Sequence, residues 1–115
     1  MKVVQVEEGK VVFNAIANEK HLNPQGSVHG GFAATVLDSV TGCAVHTPLL
    51  RAGVAYGTID LNIKMIRPVP RSTNLIAEGI VINISKSLGI SEGILKSEDR
   101  KLYATSTATC MIIKS

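Results

Sequence analysis

The stretch from Gly30 to His46 most constrains how this chain can fold. It is apolar on nearly every side and carries one carboxylate, Asp38. A helix that is apolar all round is buried on most of its surface, so a sheet must wrap around it. An acid in that setting costs free energy of folding unless it is paired or solvated. Asp38 is therefore either a structural ion-pair or capping partner, or the carboxylate of a functional site.

Alternation of apolar and polar residues predicts six strands around this helix. Polar turns such as Glu8-Gly9-Lys10 connect most of them as hairpins, which favours antiparallel pairing. The sequence therefore predicts one α+β domain over residues 1–115, with an antiparallel sheet curved around one central helix. The predicted strands cover residues 2–8, 10–17, 54–67, 73–84, 89–97 and 101–113. In the third of them, one face is predicted to hold Ile59, Leu61, Ile63 and Met65, and the other Thr58, Asp60, Asn62 and Lys64.

Composition excludes several classes of function. The chain has no Trp, two Tyr and two Phe, and a net charge of +3, so base-stacking nucleic-acid binding is not expected. Cys43 and Cys110 lack a metal or redox spacing and are interpreted as small buried apolar residues. The first residues lack a secretory signal pattern, and the helix is too short to span a bilayer. We expect a cytoplasmic protein without metal, organic cofactor or membrane contact.

Two glycines lie where the helix begins. Gly30 and Gly31 expose backbone N–H groups at the helix N-terminus, which favours negative charge. Such groups can bind the oxyanion that develops when a carbonyl is attacked; alternatively, the glycines only permit tight packing. A stripe of small residues surrounds the acid on one side of the helix and predicts a groove leading to it. The stripe consists of Gly31, Ala34, Asp38, Thr41 with Gly42, and Val45.

Helix geometry decides how these groups can cooperate. Gly30 and Asp38 are eight residues apart, which is about 12 Å along a helix. A base must lie within about 3 Å of the water that it activates, so one helix does not supply both groups to one substrate. Two antiparallel copies can bring the Gly30 end of one helix to Asp38 of the other. We therefore expect a two-fold dimer with shared sites.

One pattern of residues extends over much of the chain. It consists of Asn23, Gly26, His29-Gly30-Gly31, Asp38 and Gly42, followed by Thr58, Asp60, Asn62 and Arg67-Pro68. This pattern closely resembles the hotdog-fold acyl-CoA thioesterases of the phenylacetate-pathway (PaaI-like) type. The resemblance covers residues 10–113 and implies a thioester hydrolase that needs no cofactor. It also implies a homodimer, which can pair further into a dimer of dimers.

By this resemblance, Asp38 is the general base or nucleophile, and the Gly30 N–H polarises the thioester carbonyl. Asn23 and His29 orient substrate or water, although each can instead only stabilise the turn. Thr58 takes the place of a Ser or Thr near the water. The implied substrate-binding residues are Gly31 and the basic residues Arg67, Arg71 and Lys86, which meet the CoA nucleotide unless they are simply solvated.

Two other functions remain open at this point. The first is a non-catalytic acyl-CoA-binding or sensing module. The second is a dehydratase or hydratase on acyl thioesters, whose catalytic His and acid follow a different pattern. The sequence favours hydrolysis of a medium-chain or aromatic acyl-CoA.

Overall fold

The computed structural model describes residues 2–16, 30–47, 54–70 and 73–114. These residues form six strands and one helix in the predicted order. The elements are β1 (Lys2–Glu7), β2 (Lys10–Ile16), α1 (Gly30–His46), β3 (Val54–Met65), β4 (Asn74–Ile84), β5 (Leu88–Ser97) and β6 (Leu102–Lys114).

All six strands belong to one antiparallel sheet with the order β1-β2-β4-β5-β6-β3. Hairpins join β1 to β2, β4 to β5 and β5 to β6, while the segment containing α1 separates β2 from β3. The sheet therefore ends in β3 on one side and β1 on the other. The predicted α+β class is confirmed.

The core lies between α1 and one face of the sheet. Val36, Leu37, Val40 and Ala44 of the helix are almost completely buried, and they pack with inward-facing residues of β2, β4, β5 and β6. Burying a Val or Leu side chain contributes roughly 1.5–3 kcal/mol. The apolar composition of α1 is thus explained by the sheet that it packs against.

The predicted stripe of small residues is not an open groove along its whole length. Thr41 and Val45 are fully buried. The Thr41 hydroxyl donates to the Leu37 carbonyl at 2.8 Å, and the Ser91 hydroxyl of β5 donates to the Thr41 carbonyl at 3.1 Å. The C-terminal half of the stripe therefore faces the sheet. In the N-terminal half of the stripe, Gly31 and Asp38 are exposed and Ala34 is half-buried.

The helix approaches β4 closely at one residue. A Cβ atom at Gly79 would lie 2.2 Å from the Val40 carbonyl oxygen and 2.7 Å from the Val40 carbonyl carbon. Because these are backbone atoms of α1, they cannot move aside without shifting the helix. Gly79 therefore fixes the distance between the sheet and α1 at Val40. Val40 lies two residues from Asp38 in the helix.

In the described part of the chain, no helix is long and apolar enough to cross a membrane.

Candidate active site

Asp38 lies on the exposed side of α1. Its side chain is accessible to solvent, whereas Leu37 beside it is fully buried. Solvation thus removes the cost that an acid on an apolar helix would otherwise carry. No ion pair joins its carboxylate to another described residue. The described residues give no support to the alternative that Asp38 serves as a structural ion-pair partner.

Thr58 owes its position to a β-bulge in β3. The register between β3 and β6 shifts between Thr58 and Asp60, so that Thr58 lies opposite Cys110 while Asp60 lies opposite Thr109. Cys110 belongs to the buried row of β6, and Thr109 belongs to the other face. The predicted alternation was therefore wrong at Thr58, because a bulge re-aims a side chain to the opposite face. Thr58 shares the helix-facing side with Leu61, Ile63 and Met65.

Both Thr58 and Asp38 affect the thiol of Cys110. The Thr58 Oγ1 and Cys110 Sγ atoms are 3.8 Å apart, within hydrogen-bond distance for sulfur. Burial raises the pKa of the Cys110 thiol, the hydrogen bond with Thr58 lowers it, and the negative charge of Asp38 raises it. The carboxylate of α1 and the hydroxyl of β3 therefore act on the same thiol, which places both groups in one region of the molecule.

The helix N-terminus lies at the far end of the exposed stripe. The helix begins at Gly30 and carries no acidic residue in its first turn. Gly31 is exposed, and a Cβ atom built on it meets no described atom within 4 Å. Tight packing among the described residues therefore does not explain Gly31. The eight residues between Gly30 and Asp38 separate these groups by about 12 Å, so the helix does not bring them together.

The basic residues predicted to meet one nucleotide are far apart in a single chain. Arg67 lies beside Tyr103, whose carbonyl accepts a hydrogen bond from the Arg67 amide at 3.3 Å. Lys86 lies in the β4–β5 turn, where the Ser87 carbonyl accepts from the Ile112 amide at 2.8 Å. Tyr103 and Ile112 are nine residues apart on β6, or about 30 Å along the strand. One chain therefore does not join Arg67 and Lys86 around one ligand.

Three predicted site residues, Asn23, His29 and Arg71, lie outside the described residues. Among those described, no three His, Cys, Asp or Glu side chains cluster as metal ligands. The sequence analysis did not predict the contact of Cys110 with Thr58, because it interpreted Cys110 only as a small apolar residue. Its position opposite Thr58 depends on the bulge, and no sequence signal had indicated that bulge.

Comparison with known proteins identifies the family. Residues 25–104 match the family model of the thioesterase superfamily. The chain belongs to the thioesterase superfamily. A putative esterase of Halobacterium salinarum is 33% identical over 80% of this chain and 62% of its own length. Human acyl-coenzyme A thioesterase 13 is 26% identical over 77% of this chain and 62% of its own length.

The predicted hotdog fold is also confirmed. The E. coli PaaI protein from the phenylacetic acid degradation operon superposes with a TM-score of 0.91 at 21% identity. The match covers 99% of this chain and 80% of that protein. The superfamily member described here spans about three fifths of the length of these curated relatives.

Proposed function

We propose that this thioesterase-superfamily protein hydrolyses acyl-CoA thioesters to a free acid and CoA. The observation that carries the proposal is the exposed Asp38 carboxylate in the same region as the Thr58–Cys110 pair. A carboxylate and a hydroxyl in the same region can together activate and orient a water molecule. The similarity to an acyl-CoA thioesterase supports the choice of substrate class.

The reaction needs a nucleophile, a polarised carbonyl and a leaving group. Asp38 removes a proton from water as the general base, or attacks the thioester carbonyl carbon itself as the nucleophile. Thr58 orients the water, and the Gly30 N–H at the helix N-terminus stabilises the developing oxyanion. The carbon–sulfur bond then breaks, and CoA leaves as a thiolate that takes up a proton. In this scheme Asn23 and His29 orient the substrate or the water.

We further propose that each site is shared by two subunits. The Gly30 N–H and Asp38 of one helix are too far apart to act on one carbonyl, so the N–H comes from the partner subunit. The same arrangement resolves the separation of the basic residues, because Arg67 and Arg71 of one subunit can approach the CoA nucleotide together with Lys86 of the other. Gly31 then contacts substrate beside Gly30.

The two edges of the sheet differ in their suitability for pairing. β1 has six residues and a bulge between Val3 and Gln5, and short, bulged edges resist strand addition. β3 has twelve residues, and its register with β6 is regular from Asp60 to Met65. Unpaired N–H and C=O groups along such an edge pair readily with another strand. We therefore propose that the dimer forms through β3.

The charges on β3 favour one register. A two-fold axis at Asn62 would place Asp60 of each subunit opposite Lys64 of the partner subunit, on the sheet face away from α1. Opposite charges in cross-strand pairs each contribute roughly 0.2–1 kcal/mol, and the symmetry supplies two such pairs. This edge is thus complementary to itself when two copies run antiparallel.

A charge exchange on β3 tests this interface. We expect Lys64→Glu to weaken the dimer about tenfold, because two attractive pairs become repulsive. The double variant Asp60→Lys, Lys64→Glu should restore the dimer, since it reverses each pair without changing their complementarity. Sedimentation velocity over a concentration series measures the dissociation constant. The rate of acyl-CoA hydrolysis should fall and recover with the dimer.

Lys101→Glu is the matched control, because Lys101 is exposed in the β5–β6 connection and the charge change is the same. It should leave the dissociation constant unchanged. A double variant that dissociates as readily as Lys64→Glu would contradict the proposed register.

We also propose that the dimers pair through the outer face of the sheet, which gives the dimer of dimers. This face exposes Ile80, Leu88 and Met111, with exposed fractions of 47%, 39% and 44%. Leu88 and Met111 are directly opposite each other on β5 and β6.

The free thiols of Cys43 and Cys110 suit a reducing compartment. We therefore propose that the protein is cytoplasmic.

A thiol-release assay with short, medium, long and aromatic acyl-CoAs tests the proposed function. We expect release of CoA with at least one of them, with preference for medium-chain or aromatic acyl groups. Tight binding without release would instead favour the acyl-CoA-binding module. Formation of an unsaturated or hydrated acyl-CoA without release would favour a dehydratase or hydratase.

A further inference from the structure

We propose that Cys110 is a positioning residue that holds the Thr58 hydroxyl for thioester hydrolysis by Asp38. This inference rests on the proposed function and adds a residue to it. Cys110 contacts Thr58 from the buried side of the sheet and does not itself touch the substrate.

The bulge gives this contact its geometry. Thr58 is the last β3 residue before the register shift, and it is paired with Cys110 on β6. Its side chain is exposed, whereas Cys110 has no exposed surface. The thiol therefore approaches the hydroxyl only from within the sheet, which leaves the other side of the hydroxyl open to water or substrate. The separation of 3.8 Å fits a hydrogen bond that includes sulfur.

The protonation state of Cys110 allows the thiol to be the donor of this bond. Burial and the charge of Asp38 raise the pKa of the thiol more than the Thr58 hydrogen bond lowers it, so the thiol stays protonated at neutral pH. A protonated thiol has one weak donor, S–H, and this donor can be directed at the Thr58 oxygen. The Thr58 O–H is then free to donate outward. In the proposed direction, with the thiol as the donor, Cys110 selects one orientation of the Thr58 hydroxyl.

The surroundings of Cys110 show that an apolar residue would satisfy packing alone. Ala104 and Ala108 occupy the same buried row of β6, with 1% and 0% exposure, and Ile112 follows with 6%. Ala104 and Ala108 are paired with Met65 and Leu61 of β3, which carry no hydroxyl, and the polar residue of this row, Ser106, is paired with Ile63. The thiol occurs at the position of this row that is paired with Thr58.

The test compares Cys110→Ala, which removes the donor, with Cys110→Ser, which keeps one. We expect Cys110→Ala to lower kcat about threefold to tenfold, the range for loss of one neutral hydrogen bond, with KM within about twofold. Cys110→Ser should recover kcat to within about twofold of the wild type. If Cys110→Ala fails to fold, Cys110→Val is measured in its place, because it fills the same space without a donor.

A double-mutant cycle with Thr58→Val separates positioning from packing. In the Thr58→Val background, Cys110→Ala should cause no further loss of kcat, because the hydroxyl that it positions is absent. Cys110→Ala should still lower the melting temperature in the Thr58→Val background, because the loss of buried volume does not depend on the hydroxyl. Ile112→Val, a similar loss of buried volume in the same row, should lower the melting temperature without lowering kcat.

Losses of kcat that multiply in the double variant, or an unchanged kcat in Cys110→Ala, would overturn the inference. If the wild type and Asp38→Asn behave as the proposed function requires, such a result excludes only the positioning role of Cys110. If the wild type releases no thiol from any acyl-CoA, the proposed function fails and the role of Cys110 fails with it.

Discussion

Replacement of Asp38 by Asn should reduce acyl-CoA hydrolysis by about a hundredfold to ten-thousandfold, the usual contribution of a general base. Asn has nearly the same shape as Asp, but it can neither accept a proton from water nor attack the carbonyl efficiently. Because Asp38 is exposed, the free energy of unfolding should change by no more than about 0.5 kcal/mol. The measurements are kcat and KM in the thiol-release assay, together with the melting temperature and the mass by light scattering.

Glu8→Gln provides the matched control for Asp38→Asn. Glu8 is exposed in the β1–β2 turn, at the edge of the sheet opposite to β3, so that the variant removes one carboxylate charge away from Thr58. We expect its kcat to equal that of the wild type. Activity of Asp38→Asn within about tenfold of the wild type, in a folded protein of unchanged mass, would exclude Asp38 as base or nucleophile.

A single-turnover reaction in water enriched in heavy oxygen detects a nucleophilic Asp38 whose anhydride is opened by water at the Asp38 carbonyl. A general base leads water directly to the acyl carbon, so the label appears in the acid product. A nucleophile forms a mixed anhydride between Asp38 and the acyl group. If water then attacks the Asp38 side of that anhydride, the label appears in the enzyme and the acid product carries an unlabelled oxygen.

The sequence was sufficient to predict the helix, because α1 follows from periodicity and from the apolar surface that must be buried. Its predicted bounds of 30–46 agree with Gly30–His46. The hairpins also follow from local turn signals such as Glu8-Gly9-Lys10. In each of these cases the deciding interactions are close together in the chain.

Local sequence patterns were insufficient where strand partners decide the structure. The side of the sheet that Thr58 faces depends on how β3 pairs with β6, whose residues are about fifty positions later in the chain. The separation of Arg67 from Lys86 likewise depends on the sheet order, which local patterns do not contain. For the same reason, the partnership of Thr58 with Cys110 could be recognised only in the folded sheet.

Replacement of Gly79 by Ala should cost about 3 kcal/mol or more in the free energy of unfolding. Ala would normally suit a strand better than Gly by roughly 0.5–1 kcal/mol. Here its Cβ atom would lie 2.2 Å from the Val40 carbonyl oxygen, far inside van der Waals contact. Inserting a methyl group into a well-packed core costs typically 1–3 kcal/mol when side chains can adjust. A clash with helix backbone exceeds that range, because α1 must move as a unit.

Gly57→Ala on β3 is the control for this prediction, since a Cβ atom at Gly57 meets no described atom within 4 Å. Thermal unfolding should show a loss of about 10 °C or more for Gly79→Ala and little change for Gly57→Ala. Equal melting temperatures for both variants would contradict the close approach of α1 to β4. Because Val40 is two residues from Asp38, any Gly79→Ala protein that remains folded should also lose kcat as its helix shifts. Gly79, which fixes the distance of α1 from the sheet, therefore also fixes the position of the Asp38 carboxylate.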